Sequence, residues 1–306
     1  MEQKLLLMLD SRESLIAEIC HYLIDGVGKR VRPLFVLLSY RACGGLDERL
    51  DDAIDAAIAI ELIHSATLLH DDIIDGGTMR RGKPSVLARY GAAASLVAGD
   101  FLFCRAFELC GRFEERLVRI AAHACISLTE GEVMEGRMRH NAAARIEDYL
   151  EIITRKTASL FAAGARVAAD LAGAAPATVG ALEAVGLALG RSFQMMDDVL
   201  DVSGSEERIG KPIGSDLRTG VLSLPLVLGM HELPELRNFF ANGGHGGAAA
   251  IESALRMVRH PSILERARAM AAEQAALARH HLGELAPSIY RDSLGLLLDE
   301  QRDRAT

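Results

Sequence analysis

Two short acidic stretches hold the residues best suited to chemistry: Asp71, Asp72 and Asp75 end one apolar run, and Asp197, Asp198 and Asp201 end another. On an α-helix Asp71 and Asp75 share a face, separated by one turn of about 5.4 Å. His64, seven residues before Asp71, falls almost on that face. Gln194, Asp197, Asp198 and Asp201 recur at i, i+3, i+4 and i+7, one continuous stripe. Carboxylates crowded at the edge of an apolar core repel one another and lose hydration, which is strongly unfavourable unless they are compensated. Hard divalent cations with oxygen ligands relieve both penalties, and magnesium keeps waters and bridges to phosphates. One such cluster alone reads equally well as a solvated helix face or a cap. The segment Leu69–Asp75 is echoed by Met195–Asp201, and two copies favour metal. A di-iron carboxylate bundle, built on Glu-x-x-His pairs from facing helices, fits the paired stripes less well than magnesium with a diphosphate.

The elements that must position these residues read as helices. Ala and Leu dominate, aromatics are 5%, Trp is absent, and no alternating strand pattern is evident. Helical runs are predicted over Ala53–Ile74, Ser95–Phe113, Glu115–Arg139, Ile146–Ala172, Thr178–Val202, Leu217–Met230 and Ser262–Leu282. Gly, Pro and Asn clusters punctuate them, including a loop at Gly82-Lys83-Pro84. Helices apolar on most sides belong inside a bundle. No composition break marks a boundary, so the fold class expected is all-α, with residues 1–306 forming one domain.

The net charge of −8 and the lack of a basic run exclude a nucleic-acid partner as the main reading. Five cysteines without a C-x-x-C pair suit a reducing compartment. The apolar run Leu5–Leu9 is too short for a signal peptide. Leu171–Gly190 is interrupted by Pro176 and Glu183, so no membrane span is expected. The protein is expected in the cytoplasm.

Around the aspartates the sequence resembles the trans-polyprenyl diphosphate synthase family over most of its length. The matching stretches are Gly28–Pro33, Glu61–Asp75, Met79–Pro84, Gly99-Asp100-Phe101, Lys156-Thr157, Gln194–Asp201, Gly210–Asp216 and Leu224-Pro225. Their order and spacing together are specific. The resemblance implies the isoprenoid synthase fold: a homodimeric helical bundle around a deep central cavity flanked by the two aspartate stripes. It implies that Asp71, Asp75 and Asp197 bind magnesium, with Asp72, Asp198 and Asp201 in support. Arg80, Lys156 and Lys211 would hold an allylic diphosphate such as farnesyl diphosphate. Lys29, Arg32, His64 and Arg81 would hold isopentenyl diphosphate, and Thr157 and Gln194 would line the forming cation. Six carboxylates and a diphosphate sum to about −9, and the three magnesium ions usual in the family supply about +6, leaving the deficit to Lys and Arg. The allylic C–O bond then breaks, the isopentenyl double bond attacks the cation, and the released diphosphate takes the proton.

Ala66 and Thr67, five and four residues before Asp71, stand at the family's chain-length gates. Both are small, which implies a long product of heptaprenyl to octaprenyl length or beyond, destined for a quinone side chain. A short-chain geranylgeranyl or farnesyl diphosphate synthase is the alternative. A terpene cyclase would pair one aspartate motif with a different second motif, and a non-catalytic subunit would be expected to lose aspartates. Two departures stand out. Val27 replaces a usual Gly, and Val221 replaces a usual Lys; either Arg218 partly compensates, if 218–221 is helical, or Val221 simply packs and the other cations suffice.

Overall fold

The computed structural model describes the chain except residues 25–27, 205–212, 245–246 and 304–306. Val27 and Lys211 therefore lie outside the described residues. Helices dominate, as the composition requires, and they surround the two that end in aspartates. The first-motif helix, Leu50–Asp75, is buried along most of its length. It packs against Ala92–Cys110 on one side and Val31–Ala42 on another. The second-motif helix, Pro176–Ser203, packs against Pro261–Leu282 and Ser159–Leu171. Val31–Ala42 also contacts Ser159–Leu171, so these two helices link the pair of motif helices across the bundle.

Close backbone approach sets the second-motif helix against Ser159–Leu171. A Cβ at Gly190 would sit 2.5 Å from the Ala158 Cα, and one at Gly186 would sit 2.8 Å from the Ala162 Cα. Glycine is the residue that permits this spacing. The only apolar helix long enough to cross a bilayer among the described residues is Asp47–Asp75, and 78% of its apolar window is buried inside the fold. It is a core helix rather than the Leu171–Gly190 stretch that the sequence singled out.

Three local features depart from the sequence reading. Leu217–Met230 is not one helix: Ser215–Thr219 ends at Gly220, whose φ of +74° is left-handed, and Leu224–Glu232 restarts with Pro225 in its first turn. Val221 thus lies beyond a helix end while Arg218 is exposed, and the helical proximity needed for Arg218 to compensate is absent. Ile146–Leu171 runs on as one rod but contains a π-helical turn at Thr154–Ala158. Residues 79–84 are not a plain loop: Met79-Arg80 and Lys83-Pro84 pair antiparallel, with Arg81 and Gly82 both at positive φ, the signature of a two-residue type I′ turn.

Gly190→Ala should lower stability. The substitution gains up to about 1 kcal/mol of helix propensity, but overpacking against Ala158 costs about 1–3 kcal/mol. A urea midpoint equal to or above wild type would show that the two helices are free to separate.

Candidate active site

A cavity of about 690 Å³ opens between the ends of the two motif helices. Its wall holds Lys29, Arg32, His64, Thr67, Asp71, Arg80, Arg81, Lys156, Thr157, Gln194 and Asp197, all of them predicted from sequence. These positions come from five separate segments, so only the fold brings them together. Asp72, Asp75, Asp198 and Asp201 stand behind or beside that wall. Ala66 does not line it; its side chain is fully buried in the packed core around the first-motif helix. Thr67 does line it, with its hydroxyl donating to the His64 carbonyl at 2.8 Å. A second depression of similar size, between Ile120, Ala124, Ala162 and Leu187, contains none of the motif aspartates.

The first motif ends in a tight chain reversal. Gly76 takes φ +65°, and the Gly77 N–H donates to the Asp72 carbonyl at 2.9 Å. The chain then folds back through the hairpin, so that Arg80 grips the buried Asp72 carboxylate from two nitrogens, at 2.7 Å from Nη2 and 3.0 Å from Nε. Arg80 was assigned to substrate; in this arrangement its fork is engaged by Asp72, and it still borders the cavity. Asp75 pairs with Arg139, a residue the sequence did not single out. Burial pushes the Asp71 carboxyl up to about 7; Lys156 and Arg80 oppose this, and Glu132 and Asp75 reinforce it.

Lys156 sits on the π turn, where the wider backbone turn re-aims side chains. Its ammonium meets Glu132 at 2.7 Å and Glu135 at 2.5 Å, both on the Glu115–Met138 helix. Gly131 makes this approach possible, since a Cβ there would lie 2.6 Å from the Lys156 amide nitrogen. Burial opposes the charge on Lys156, but Glu135, Asp71 and Glu132 outweigh it and raise its pKa. Glu132 and Glu135 escaped the sequence reading because acidic residues three apart on a helix look the same when they face water.

In the second motif, Asp198 is the anchor. Its carboxylate accepts from Tyr149 Oη at 2.7 Å, Gln194 Nε2 at 2.9 Å and the Leu224 N–H at 2.9 Å. Burial raises Asp198 to about 7 even against these three donors. Gln194, oriented by Asp198, accepts the Thr157 hydroxyl proton at 2.9 Å. The Thr157 oxygen lone pairs are then left for the cavity. Asp201 is buried, and its carboxylate accepts from the Asp216 N–H at 3.3 Å.

The opposite wall is cationic. Arg30 and Arg81 both occupy left-handed backbone, at φ +49° and +52°, costly for residues with a Cβ and concentrated here at one cavity. Arg30 pairs with Glu61 at 3.2 Å. Arg32 lies 4.7 Å from the Phe161 ring centroid, and burial lowers its pKa to about 10. Burial, reinforced by Arg32, Arg81, Arg80 and Arg30, drives the His64 pKa well below the usual value, so His64 is neutral.

Among the described residues, no three His, Cys, Asp or Glu side chains converge to hold a metal unaided. Glu61 and His64 stand in Glu-x-x-His register, but Glu61 is held by Arg30. The donors present are carboxylate oxygens, the hard ligands that suit magnesium. Asp71 and Asp197 border one cavity, with Asp75 one turn from Asp71. Ions there would complete their shells from water and a phosphorylated ligand, so this donor set fits.

Tyr149→Phe should lower stability by about 1–3 kcal/mol, because it leaves a buried carboxylate short of a donor. Guanidinium denaturation measures this directly, and an unchanged midpoint would mean that Asp198 does not depend on Tyr149.

Comparison with known proteins bears on the chain as a whole. The profile of the polyprenyl synthetase family matches residues 13–257. The octaprenyl diphosphate synthase of Escherichia coli strain K12 is 36% identical over 304 residues, covering 97% of this chain and 93% of its own. The short chain isoprenyl diphosphate synthase of Methanothermobacter thermautotrophicus is 34% identical over 285 residues, covering 91% and 87%. Among solved structures, the polyprenyl synthase of Caulobacter crescentus, complexed with calcium and isoprenyl diphosphate, superposes with a TM-score of 0.93 at 34% identity, covering 100% of this chain and 94% of that one. With a profile matching most of its length, relatives above 30% identity and a shared all-α fold, this chain belongs to the polyprenyl synthetase family.

Proposed function

We propose that the chain is a magnesium-dependent trans-prenyltransferase. In this reading it condenses isopentenyl diphosphate repeatedly onto an allylic primer, farnesyl diphosphate, to make a long-chain all-trans polyprenyl diphosphate for a quinone side chain. The observation that carries it is one cavity bordered by Asp71 and Asp197 and by six cationic side chains, Lys29, Arg30, Arg32, Arg80, Arg81 and Lys156. Arg80, Arg30 and Lys156 are partly answered by Asp72, Glu61 and the Glu132–Glu135 pair, and the cationic wall that remains suits diphosphate groups better than a neutral ligand.

Asp71, Asp75 and Asp197 would hold magnesium, which when bound supplies charge neutralisation to the departing diphosphate. Arg80 and Lys156, with Lys211, take the allylic diphosphate, while Lys29, Arg32 and Arg81 take that of isopentenyl diphosphate. Neutral His64 donates or accepts a hydrogen bond without adding a charge beside the growing cation. Thr157, its proton committed to Gln194, presents lone pairs that stabilise positive charge on the allylic carbon. Asp72 and Asp198 hold Arg80 and Gln194 in place rather than meeting the substrate. The proton lost in each cycle goes to the released diphosphate, as the family resemblance implies.

The reading further takes residues 1–306 as one cytoplasmic domain that pairs as a homodimer. Leu96, Val97 and Phe107 of the Ala92–Cys110 helix and Ile126 and Val133 of Glu115–Met138 are all exposed, an apolar set that suits a covered surface. Sedimentation of purified protein should give twice the chain mass.

The deciding experiment incubates purified protein with farnesyl diphosphate, radiolabelled isopentenyl diphosphate and magnesium, and separates products by length. Products of heptaprenyl length or longer, abolished by EDTA, are expected. Accumulation of geranylgeranyl diphosphate would select the short-chain alternative, and turnover without metal would end the reading altogether. Thr67→Phe, which places an aromatic ring on the cavity wall, should shorten the product. Ala66→Phe should act first on stability, since Ala66 lies in packed core.

A further inference from the structure

Among the described residues, Arg139 is a cation at the first aspartate motif that neither the sequence reading nor the proposed function uses. It follows the last turn of the Glu115–Met138 helix, and its guanidinium pairs with Asp75. Its Nε is buried with no hydrogen-bond partner, so the group has donor capacity that the protein itself leaves unfilled. The next residue fixes where it stands. His140 has left-handed backbone at φ +56°, and its N–H donates to the Gly220 carbonyl at 3.0 Å. The His140 ring lies so close over Gly220 that no side chain fits there, and it also stacks near Phe240, with centroids 6.3 Å apart. A strained residue clamped by three contacts is a rigid mount for its neighbour.

The segment to which His140 is clamped is tied to the second motif. The Val221 N–H donates to the Asp216 carbonyl at 3.0 Å, and the Asp216 N–H donates to the Asp201 carboxylate at 3.3 Å. Arg139 therefore sits where Asp75 of the first motif and the Gly220–Val221 segment beside the second come together. Val221 brings no charge to that place. An arginine presents a planar fork of five donors, matched to phosphate oxygens.

We propose that Arg139 is a diphosphate-binding residue that supplies, from the Glu115–Met138 helix, the cation that Val221 does not. This rests on the prenyltransferase reading of the same cavity. Asp75 pairs with the guanidinium; in this proposal the Arg139 fork engages the phosphate oxygens of a diphosphate, and Asp75 is freed for the divalent ions that accompany it.

The test measures binding of inorganic pyrophosphate with magnesium by calorimetry, alongside the Michaelis constants of both substrates. R139Q should weaken pyrophosphate binding about tenfold to a hundredfold, the scale of a charged hydrogen bond. It should raise KM for farnesyl diphosphate and leave KM for isopentenyl diphosphate unchanged. R139K, which keeps charge but loses the fork, should fall between, and it serves as the readout if R139Q does not fold. Adding V221K to R139Q should restore affinity, which loss of a purely structural contact could not explain. Unchanged pyrophosphate affinity in R139Q or R139K would overturn the proposal, as would a R139Q variant whose sole change is tighter magnesium binding, the mark of a mere countercharge to Asp75. Either result leaves wild-type condensation intact, whereas an inactive wild type would sink the prenyltransferase reading instead.

Discussion

Everything at this site follows from the cost of gathering carboxylates at the ends of apolar helices. A buried carboxylate without a partner is unstable as an anion, and neighbouring carboxylates make it worse. The structure answers residue by residue: Asp72 takes Arg80, Asp75 takes Arg139, and Asp198 takes three neutral donors. Asp71, facing the cavity, is left with its proton affinity raised to about 7. Charge that is compensated inside the protein stabilises the fold. Charge that is only partly compensated at a cavity wall is available to ions and phosphates.

The compensating groups arrive on irregular backbone. Arg80 is delivered by a two-residue hairpin turn, Lys156 by a π turn, and Arg139 by the strained residue that follows it. Regular helices place side chains at fixed intervals along one face, and they cannot aim five segments at a single point. Each departure from regular geometry costs local free energy, and each is held by packing that leaves no alternative: Gly131 against Lys156, Gly77 against Asp72, Gly220 beneath His140.

This explains what could be read from the sequence and what could not. The central helices were legible because their apolar runs are long and uninterrupted, as at Leu50–Asp75, whereas Ser14–Ile24, Val31–Ala42 and Ile289–Asp303 were not singled out. The aspartates were legible because their spacing matches the helical repeat and occurs twice. Glu132, Glu135, Tyr149 and Arg139 were not, since nothing local separates a buried partner from a surface residue of the same type. Their meaning comes from contacts across 21 to 64 positions of sequence. The break at Gly220 was signalled by the glycine and by Pro225, but the apolar run on either side outweighed both. Ala66, placed at a chain-length gate by the resemblance alone, is buried in the packed core, about 140° around the helix from Asp71.

The two motifs also prove alike in a way that their spacing alone does not reveal. In each, the first aspartate, Asp71 or Asp197, borders the cavity. The second, Asp72 or Asp198, is turned inward and nearly inaccessible, at 3% and 5% exposure. That inward residue grips the side chain that flanks the cavity: Asp72 holds Arg80, and Asp198 holds Gln194. The adjacent pair in each motif is thus one outward group and one inward group, about 100° apart on the helix. A conservative Asp→Asn change at the inward position would keep the volume but weaken the grip on its partner. At the outward position it would remove charge from the cavity itself. The doubled aspartate is therefore two different devices in adjacent positions, and the resemblance between the motifs lies in that division of labour as much as in the residues themselves.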